Sequence, residues 1–192
     1  ELFDNPRLMP HGHRPLQSGS DTVLRRLARR CKTADFSALV AVARERVPQL
    51  NITTDIIVGF PGETGEEWQQ TLDYLRGLDF GHIHIFGYSP RPDTRAAGLP
   101  NPVPEEIKKA RSRELHAVLH TMRQRQLVRQ VGDRVPVLVE HFSEGRYWGY
   151  TPNYFRVGFE AEAENGPLES RILDIRITAT ADDQGVLVGK AT

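Results

Sequence analysis

The segment TDIIVGFPGET, residues 54–64, is the feature that most constrains the fold of this chain. A β-branched, apolar run ends abruptly in a Gly-x-Pro-Gly turn at residues 59–62, and Thr64 and Glu67 then have the spacing of a helix capping box. An apolar strand that passes through a tight turn into a helix is typical of a buried strand in a parallel sheet. Because ligands bind at the carboxyl ends of such strands, the segment predicts both an α/β fold and a site.

Residues 1–103 repeat this alternation of strand and helix. A short strand in HGHRPLQSG precedes the helix SDTVLRRLARRC, and a second helix, TADFSALVAVARERV, is stopped by Pro48. The strands ITTDIIVGF and HIHIFGYS enclose a third helix, and this spacing predicts βα units with a parallel sheet. In the first helix, Cys31 shares the apolar face with Leu24 and Leu27, so we expect it in the core.

The remainder of the chain is a helix followed by short strands. The helix over residues 104–130 carries 7 basic and 3 acidic side chains, which predicts where a general nucleic-acid contact would lie. The strands RVPVLVEHF, GRYWGYT, FRVGFEAEA, SRILDIRITA and GVLVGK follow Gly132 and predict a small antiparallel β-barrel over residues 131–192.

Composition excludes several classes of protein. The single cysteine excludes an internal disulfide and any cysteine-ligated metal cluster built from this chain alone. No apolar stretch approaches the length of a membrane span and no signal peptide is visible, so we expect a cytoplasmic protein without a membrane partner. Three parallel strands without a first half would leave an apolar sheet edge uncovered. We therefore expect the C-terminal portion of a longer polypeptide, truncated or proteolytically released, or a chain that dimerises.

Small, polar and charged residues gather where the predicted strands end. They are Gln17, Ser18, Asp55, Gly59, Glu63, Ser89, Arg91 and Thr94. Glycine allows close approach of a ligand to the backbone, and N–H groups at a helix start favour anions. The pattern predicts a site for an adenosine-bearing or amino-acid-bearing ligand. The alternative is a sharp turn with capping residues and no ligand.

Two histidine pairs share strand faces, because His11 and His13 are two apart, as are His82 and His84. Packed histidines, or histidines lining a polar barrel interior, are more typical of this spacing than a metal centre. We therefore predict no metal site.

The stretch GRYWGYTPNYFRV interleaves aromatic residues with arginines. Its candidate RNA contacts are Arg146, Tyr150, Asn153, Tyr154 and Arg156. Such residues suit stacking on unpaired bases together with phosphate contact. The alternative is that the aromatic rings fill the interior of the barrel.

Three motifs taken together resemble a known family. PLQSGSDTVLRRLARR, TDIIVGFPGET and IHIFGYSPRPDT resemble, in this order and spacing, the second half of the radical S-adenosylmethionine methylthiotransferases. VGDRVPVLVE onward resembles their C-terminal TRAM domain, and the resemblance covers essentially the whole chain. It implies the C-terminal half of a radical-SAM βα barrel over residues 1–103, a connecting basic helix over residues 104–130 and a TRAM-like β-barrel over residues 131–192.

The resemblance also implies an activity, a transferase that modifies tRNA. IHIFGYSPR and GYTPNYFRV look most like the branch that methylthiolates C2 of N6-threonylcarbamoyladenosine at position 37, in the anticodon loop. The branches that act on isopentenyladenosine in tRNA or on a ribosomal protein are alternatives. A stand-alone RNA-binding protein and an iron-independent nucleotide-binding barrel enzyme are alternatives from other classes.

Cofactors and site residues follow from the same resemblance. The cofactors implied are S-adenosylmethionine and two [4Fe–4S] clusters. On the S-adenosylmethionine side the resemblance places Gln17, Ser18, Asp55, Gly59, Pro61, Gly62 and Glu63, and at the substrate or cofactor rim it places Ser89, Arg91 and Thr94. The cluster-binding cysteines of the family have no counterpart here, so we expect the chain alone to be inactive. Asp93 stands where the family usually has glycine, which brings the local turn into question.

Overall fold

The structure is a computed structural model that describes residue 5 and residues 7–161, 167–181 and 185–192. The chain separates into two compact units. We call Gly12–Pro48 with Ile52–Met122 the βα unit, and Glu1–His11 with Gln49–Asn51 and Arg123–Thr192 the barrel unit. Among the described residues, no helix combines the length and apolar character needed to cross a bilayer.

The sheet of the βα unit has the order β1-β2-β3. The elements of this part of the chain, in order, are β1 (His11–His13), α1 (Asp21–Arg26), α2 (Thr33–Arg46), β2 (Asn51–Val58), α3 (Gly65–Leu78), β3 (His82–Gly87), a short 3-10 helix (Arg95–Gly98) and α4 (Glu105–Val128). The first residues of β1 and β2 and the last turns of α4 are assigned to the barrel unit. Strands β2 and β3 run parallel with Asp55 opposite His84, and Gln17 bridges Ile56 in the parallel sense. The parallel sheet predicted from the alternation of strands and helices is confirmed, whereas its assignment to half of a barrel stays a prediction.

Apolar burial explains why β2 leads into α3. Ile52, Ile56 and Val58 of β2 are buried, as are Trp68 and Leu72 of the helix that follows. Burial of each such side chain contributes about 1.5–3 kcal/mol. The predicted capping box is present, because the Thr64 hydroxyl accepts the Glu67 N–H at 3.1 Å and the Glu67 carboxylate accepts the Thr64 N–H at 2.9 Å.

The predicted core position of Cys31 is wrong, since this thiol is exposed. Helix α1 ends at Arg26, and Ala28 adopts a left-handed conformation (φ 56°). The Arg29 N–H then donates to the Leu24 carbonyl and the Ala28 N–H to the Arg25 carbonyl, which is the hydrogen-bond pattern of a Schellman motif. The helical period therefore stops one turn before Cys31.

The barrel unit contains a closed five-stranded barrel of order β4-β5-β6-β8-β7. Its strands are β4 (Arg134–Ser143), β5 (Arg146–Tyr150), β6 (Arg156–Glu160), β7 (Ile172–Ala181) and β8 (Val186–Ala191). Alternate residues of β4, namely Val135, Val137 and Val139, enter the core. The predicted small β-barrel is confirmed, and its TRAM-like assignment stays a prediction. The predicted strand FRVGFEAEA extends in part beyond the described residues.

One strand pair departs from the predicted antiparallel arrangement. Strands β6 and β8 pair in parallel, whereas the other four neighbouring pairs are antiparallel. A closed ring with an odd number of strands cannot alternate direction at every step. Closure of five strands therefore requires at least one parallel pair, and the expectation of a purely antiparallel barrel was wrong for this reason.

Candidate functional site

A cavity of about 490 Å³ lies at the carboxyl ends of β2 and β3 in the βα unit. Five of the ten predicted cofactor and rim residues line it, namely Gln17, Asp55, Ser89, Arg91 and Thr94. Ile57, Phe60 and Phe86 supply apolar wall. A cavity of this size, mostly apolar with a few convergent polar groups, is typical of a small-molecule site.

Gln17 is held at the cavity in a strained conformation. Its φ is 78°, a region that residues other than glycine rarely adopt, and the residue is 8% exposed. Two backbone hydrogen bonds to β2 impose this conformation: the Gln17 N–H donates to the Asp55 carbonyl at 2.8 Å, and the Ile57 N–H donates to the Gln17 carbonyl at 2.9 Å. A side-chain amide is thus fixed in the wall at a position where glycine would fit the backbone better.

The other predicted cofactor residues lie outside the cavity lining. They are Ser18, Gly59, Pro61, Gly62 and Glu63. Ser18 is buried, and its hydroxyl is 3.2 Å from that of Thr71 on α3. Gly59 and Gly62 have φ values of 76° and 75°, so the turn after β2 uses left-handed positions that glycine adopts without strain.

Glu63 turns inward and stabilises this turn. Its Oε2 accepts the Gly59 N–H at 2.8 Å and an Arg111 N–H from α4 at 2.7 Å. Burial raises the pKa of Glu63, and the hydrogen bond from Gly59 and the charge of Arg111 oppose this effect without cancelling it. The Arg111 guanidinium also lies 5.8 Å from the centre of the Trp68 ring. Sequence reasoning missed this pair because its members are 48 residues apart.

The rim of the cavity is an ordered turn. The N–H and hydroxyl of Thr94 both donate to the Arg91 carbonyl, at 3.3 Å and 2.8 Å. Between them, Asp93 has φ 63° and takes up the left-handed conformation that a glycine would supply. Asp is among the residues that tolerate this region. The turn therefore forms without glycine, which answers the question that the sequence raised.

Three further side chains converge on one face of the sheet. His13 Nε2 lies 3.4 Å from Asp55 Oδ1, and one donor atom from each of His13, Asp55 and His84 lies within 4.8 Å of the others. His13 Nδ1 is 3.0 Å from the Thr53 hydroxyl. In the sequence, His13 is two residues from His11 and His84 is two residues from His82, whereas Asp55 lies on another strand. Only the order of the strands in the sheet brings His13, Asp55 and His84 together.

In the barrel unit, the candidate RNA residues are unequally accessible. Arg146 and Tyr154 are exposed, and Tyr150 and Arg156 are half-buried. The Tyr150 and Tyr154 rings lie 5.0 Å apart, and the Arg156 guanidinium lies 4.4 Å from the centre of the Trp148 ring.

Asn153 differs from these four residues because it is buried. Its amide oxygen accepts the Thr151 hydroxyl at 2.6 Å, and its amide nitrogen donates to the Gln130 side chain at 3.2 Å. The alternative prediction, that aromatic rings of this stretch fill the interior of the barrel, also has support. The rings of Tyr147 and Phe155 lie in the barrel core, together with that of Phe159.

No protein-family model matches the chain. It is 42% identical over 156 residues to the threonylcarbamoyladenosine tRNA methylthiotransferase MtaB of Thermotoga maritima, a match that covers 81% of this chain and 36% of that protein. It is 37% identical over 180 residues to the tRNA-2-methylthio-N(6)-dimethylallyladenosine synthase of Chloroflexus aurantiacus, which covers 92% of this chain and 38% of that protein. The chain is a relative of the tRNA methylthiotransferases. The resemblance seen in the motifs is thereby confirmed.

The relatives are much longer than this chain. A third one, the tRNA-2-methylthio-N(6)-dimethylallyladenosine synthase of Thermobifida fusca, is 37% identical and matches 97% of the chain but only 35% of its own length. Among solved structures, coproporphyrinogen III oxidase (HemN) of Escherichia coli, a radical SAM enzyme, aligns with a TM-score of 0.51 and 23% identity over 59% of this chain and 27% of that one. That likeness shows a shared fold.

The side chains present do not fit an iron–sulfur cluster. Such clusters are held by several cysteine thiolates, and this sequence has one cysteine, which is exposed. The cavity does fit an adenosine-bearing ligand, because it combines aromatic wall with an amide, a carboxylate and a guanidinium.

Proposed function

We propose that this chain is part of a tRNA methylthiotransferase and forms one wall of its S-adenosylmethionine pocket. The observation that carries the proposal is the cavity at the strand ends, where five residues assigned to the cofactor side or rim line a single space. The neighbouring turn is held from the side away from the cavity by Glu63, which accepts hydrogen bonds from Gly59 and Arg111.

The lining residues suggest how the ligand is held. The amide of Gln17 and the carboxylate of Asp55 offer hydrogen bonds to the polar groups of adenosine, and Phe60 and Phe86 offer apolar contact to its base. Arg91 suits the carboxylate of the amino-acid moiety. When bound, S-adenosylmethionine supplies the methyl group and, with clusters ligated by other residues, the radical chemistry. We expect this chain alone to bind the ligand without turning over.

Calorimetric titration of the chain with S-adenosylmethionine tests the pocket. Arg91→Ala removes a charged hydrogen-bond donor and should weaken binding about tenfold or more. Arg95→Ala is the matched control, because Arg95 is an exposed arginine of the same segment outside the cavity lining. Equal losses in both variants, or no binding by the parent chain, would overturn the proposal.

We further propose N6-threonylcarbamoyladenosine in the anticodon loop as the acceptor. The motifs IHIFGYSPR and GYTPNYFRV support this choice, and the Thermotoga maritima enzyme at 42% identity is a relative of that branch. Dimethylallyladenosine synthases at 37–43% identity, among them those of Chloroflexus aurantiacus and an Arthrobacter strain, favour isopentenyladenosine as the second candidate.

Nucleoside mass spectrometry of tRNA from a strain lacking the gene separates the two acceptors. Loss of the methylthio group from threonylcarbamoyladenosine alone is the expected result. Loss from isopentenyladenosine alone would establish the second candidate, and unchanged tRNA would overturn both.

The barrel unit is proposed to contact the tRNA through Arg146, Tyr150, Tyr154 and Arg156. Two arginines beside exposed or half-buried tyrosines suit phosphate contact and stacking on loop bases. Asn153 is proposed to act indirectly, because its side chain is buried and fixes the turn that carries Tyr154. A tRNA partner also supports the cytoplasmic location expected from the sequence.

A further inference from the structure

We propose that His13, Asp55 and His84 bind a divalent transition metal ion, with Zn²⁺ as the reference ion. Each offers one donor atom, and these atoms lie within 4.8 Å of one another. Two imidazoles and one carboxylate form a donor set that zinc and related ions prefer, and three protein ligands leave a fourth position open to water or substrate. The inference does not depend on the proposed function.

The sheet places these donors together. The three residues lie on three adjacent strands, and Asp55 is the register partner of His84. Side chains of register partners on neighbouring strands project from the same face of a sheet. The backbone therefore presents the ligands without help from a loop, and the site has rigid support.

One of the donor pairs already has the spacing of tetrahedral coordination. With metal–ligand bonds of about 2.0–2.1 Å, the donor atoms of a tetrahedral site are roughly 3.3 Å apart. His13 Nε2 and Asp55 Oδ1 are already 3.4 Å apart. His84 is exposed, so we expect its side chain to rotate into the same range when the ion binds without displacing a core residue.

Thr53 orients the first ligand. Its hydroxyl is 3.0 Å from His13 Nδ1, which leaves Nε2 directed at Asp55. Metal-binding histidines almost always engage their second ring nitrogen in this way, because that hydrogen bond fixes both the tautomer and the ring orientation. The His84 ring also packs edge-on against the rings of His13 and His82, with centroids 5.6 Å and 4.7 Å apart, so the variants below must separate metal binding from this packing.

A second histidine pair must be controlled for. His116 and His120 are exposed and lie one helical turn apart on α4, a spacing that also lets two imidazoles bind one ion. The variant His116→Ala/His120→Ala removes that pair without touching the sheet, and it serves as the matched control.

Calorimetric titration of the chain with Zn²⁺, repeated with Co²⁺ to record a ligand-field absorption band, tests the site. We expect one equivalent to bind in the parent chain and in the His116→Ala/His120→Ala control. His84→Ala and Asp55→Asn should each weaken binding at least tenfold and abolish the Co²⁺ band, and Thr53→Val should weaken it about tenfold. Circular dichroism confirms that each variant is folded.

Three results would overturn the inference. The first is Zn²⁺ binding that survives His84→Ala unchanged, and the second is binding that disappears in the His116→Ala/His120→Ala control. Absence of any Zn²⁺ binding by the folded parent chain would have the same consequence. The two proposals share Asp55, but a failure here is distinguishable from a failure of the S-adenosylmethionine proposal, because the Arg91→Ala titration addresses a residue outside the metal set.

Discussion

Gln17 keeps a left-handed conformation at the cavity wall although glycine would adopt it without strain. Asp93 does the same at the rim. Strain of this kind costs about 1–3 kcal/mol and persists where the surrounding structure enforces it, often at binding sites. At Gln17 the two hydrogen bonds to β2 enforce it, and the amide side chain they hold in place lines the cavity.

We expect Gln17→Gly to be more stable than Gln17→Ala by about 1 kcal/mol, because both lose the amide but only alanine retains the left-handed strain. The free energy of unfolding in urea measures the difference. At Ala38, an exposed position within α2, Ala38→Gly should instead lower stability by about 1 kcal/mol. If the glycine variant were less stable than the alanine variant at position 17, as we expect at position 38, Gln17 would not be strained.

Among the elements, α3 depends on one carboxylate for two contacts. Glu67 closes the capping box with Thr64, and it also binds Arg26 of α1 through two N–H···O bonds of 2.9 Å and 2.6 Å. Burial raises the pKa of Glu67, but hydrogen bonds from Arg26, Thr22 and the Thr64 N–H outweigh that effect and lower it to about 2. The cap and the contact between the two helices therefore share a charge.

This depressed pKa predicts a pH-dependent stability. The contribution of Glu67 to the free energy of unfolding is fully present above the unfolded-state pKa of 4.5, and it is lost as the pH falls from there to about 2. At neutral pH it amounts to at most about 3 kcal/mol. Glu67→Gln should remove it, so the stability gap between parent and variant should shrink on acidification. Urea unfolding at a series of pH values measures this gap, and a gap independent of pH contradicts the assignment.

The contact between the turn after β2 and α4 gives a second prediction at this scale. Arg111→Met leaves the buried Glu63 without its cation and should cost about 3–5 kcal/mol at neutral pH. The loss should diminish as the pH falls toward the raised pKa of Glu63, because a protonated carboxyl needs no cation. Glu63→Gln/Arg111→Met should be more stable than Arg111→Met alone. Equal stabilities in urea unfolding would show that the two side chains are not coupled.

For the molecule as a whole, the formal net charge of zero limits how RNA can be bound. A neutral chain gains little from general attraction to phosphates, so affinity must come from a few placed contacts. The strands of the barrel offer two such arginines, Arg146 and Arg156, whereas residues 105–130 offer six basic side chains besides Arg111, which is buried and paired with Glu63.

The salt dependence of RNA binding distinguishes these surfaces. Two phosphate contacts predict a slope of log K against log[salt] of about −1.4 for an anticodon-loop RNA, and six predict about −4. Arg146→Ala/Arg156→Ala should flatten the slope, and Lys109→Ala/Arg113→Ala, at exposed positions of α4, should leave it unchanged. Fluorescence anisotropy at several salt concentrations gives the slopes. The reverse ranking would assign RNA binding to the helix.

The sequence by itself determined the features that depend on neighbouring residues. The β-branched run of β2, the capping box at Thr64 and the turn at Gly59 and Gly62 were all readable, because periodicity and turn chemistry act over a few residues. Short alternating strands predicted a barrel, and motif order predicted relatives among the tRNA methylthiotransferases. These predictions are confirmed.

Tertiary structure decided what depends on distant neighbours. Helix α1 stops early and exposes Cys31, and Glu63 meets an arginine 48 residues away and turns inward from the cavity. The order β1-β2-β3 gathers His13, Asp55 and His84, which sequence spacing had left in separate groups. Closure of five strands makes β6 and β8 parallel. In each case, strand order and packing determine which residues meet, and a local sequence pattern does not encode them.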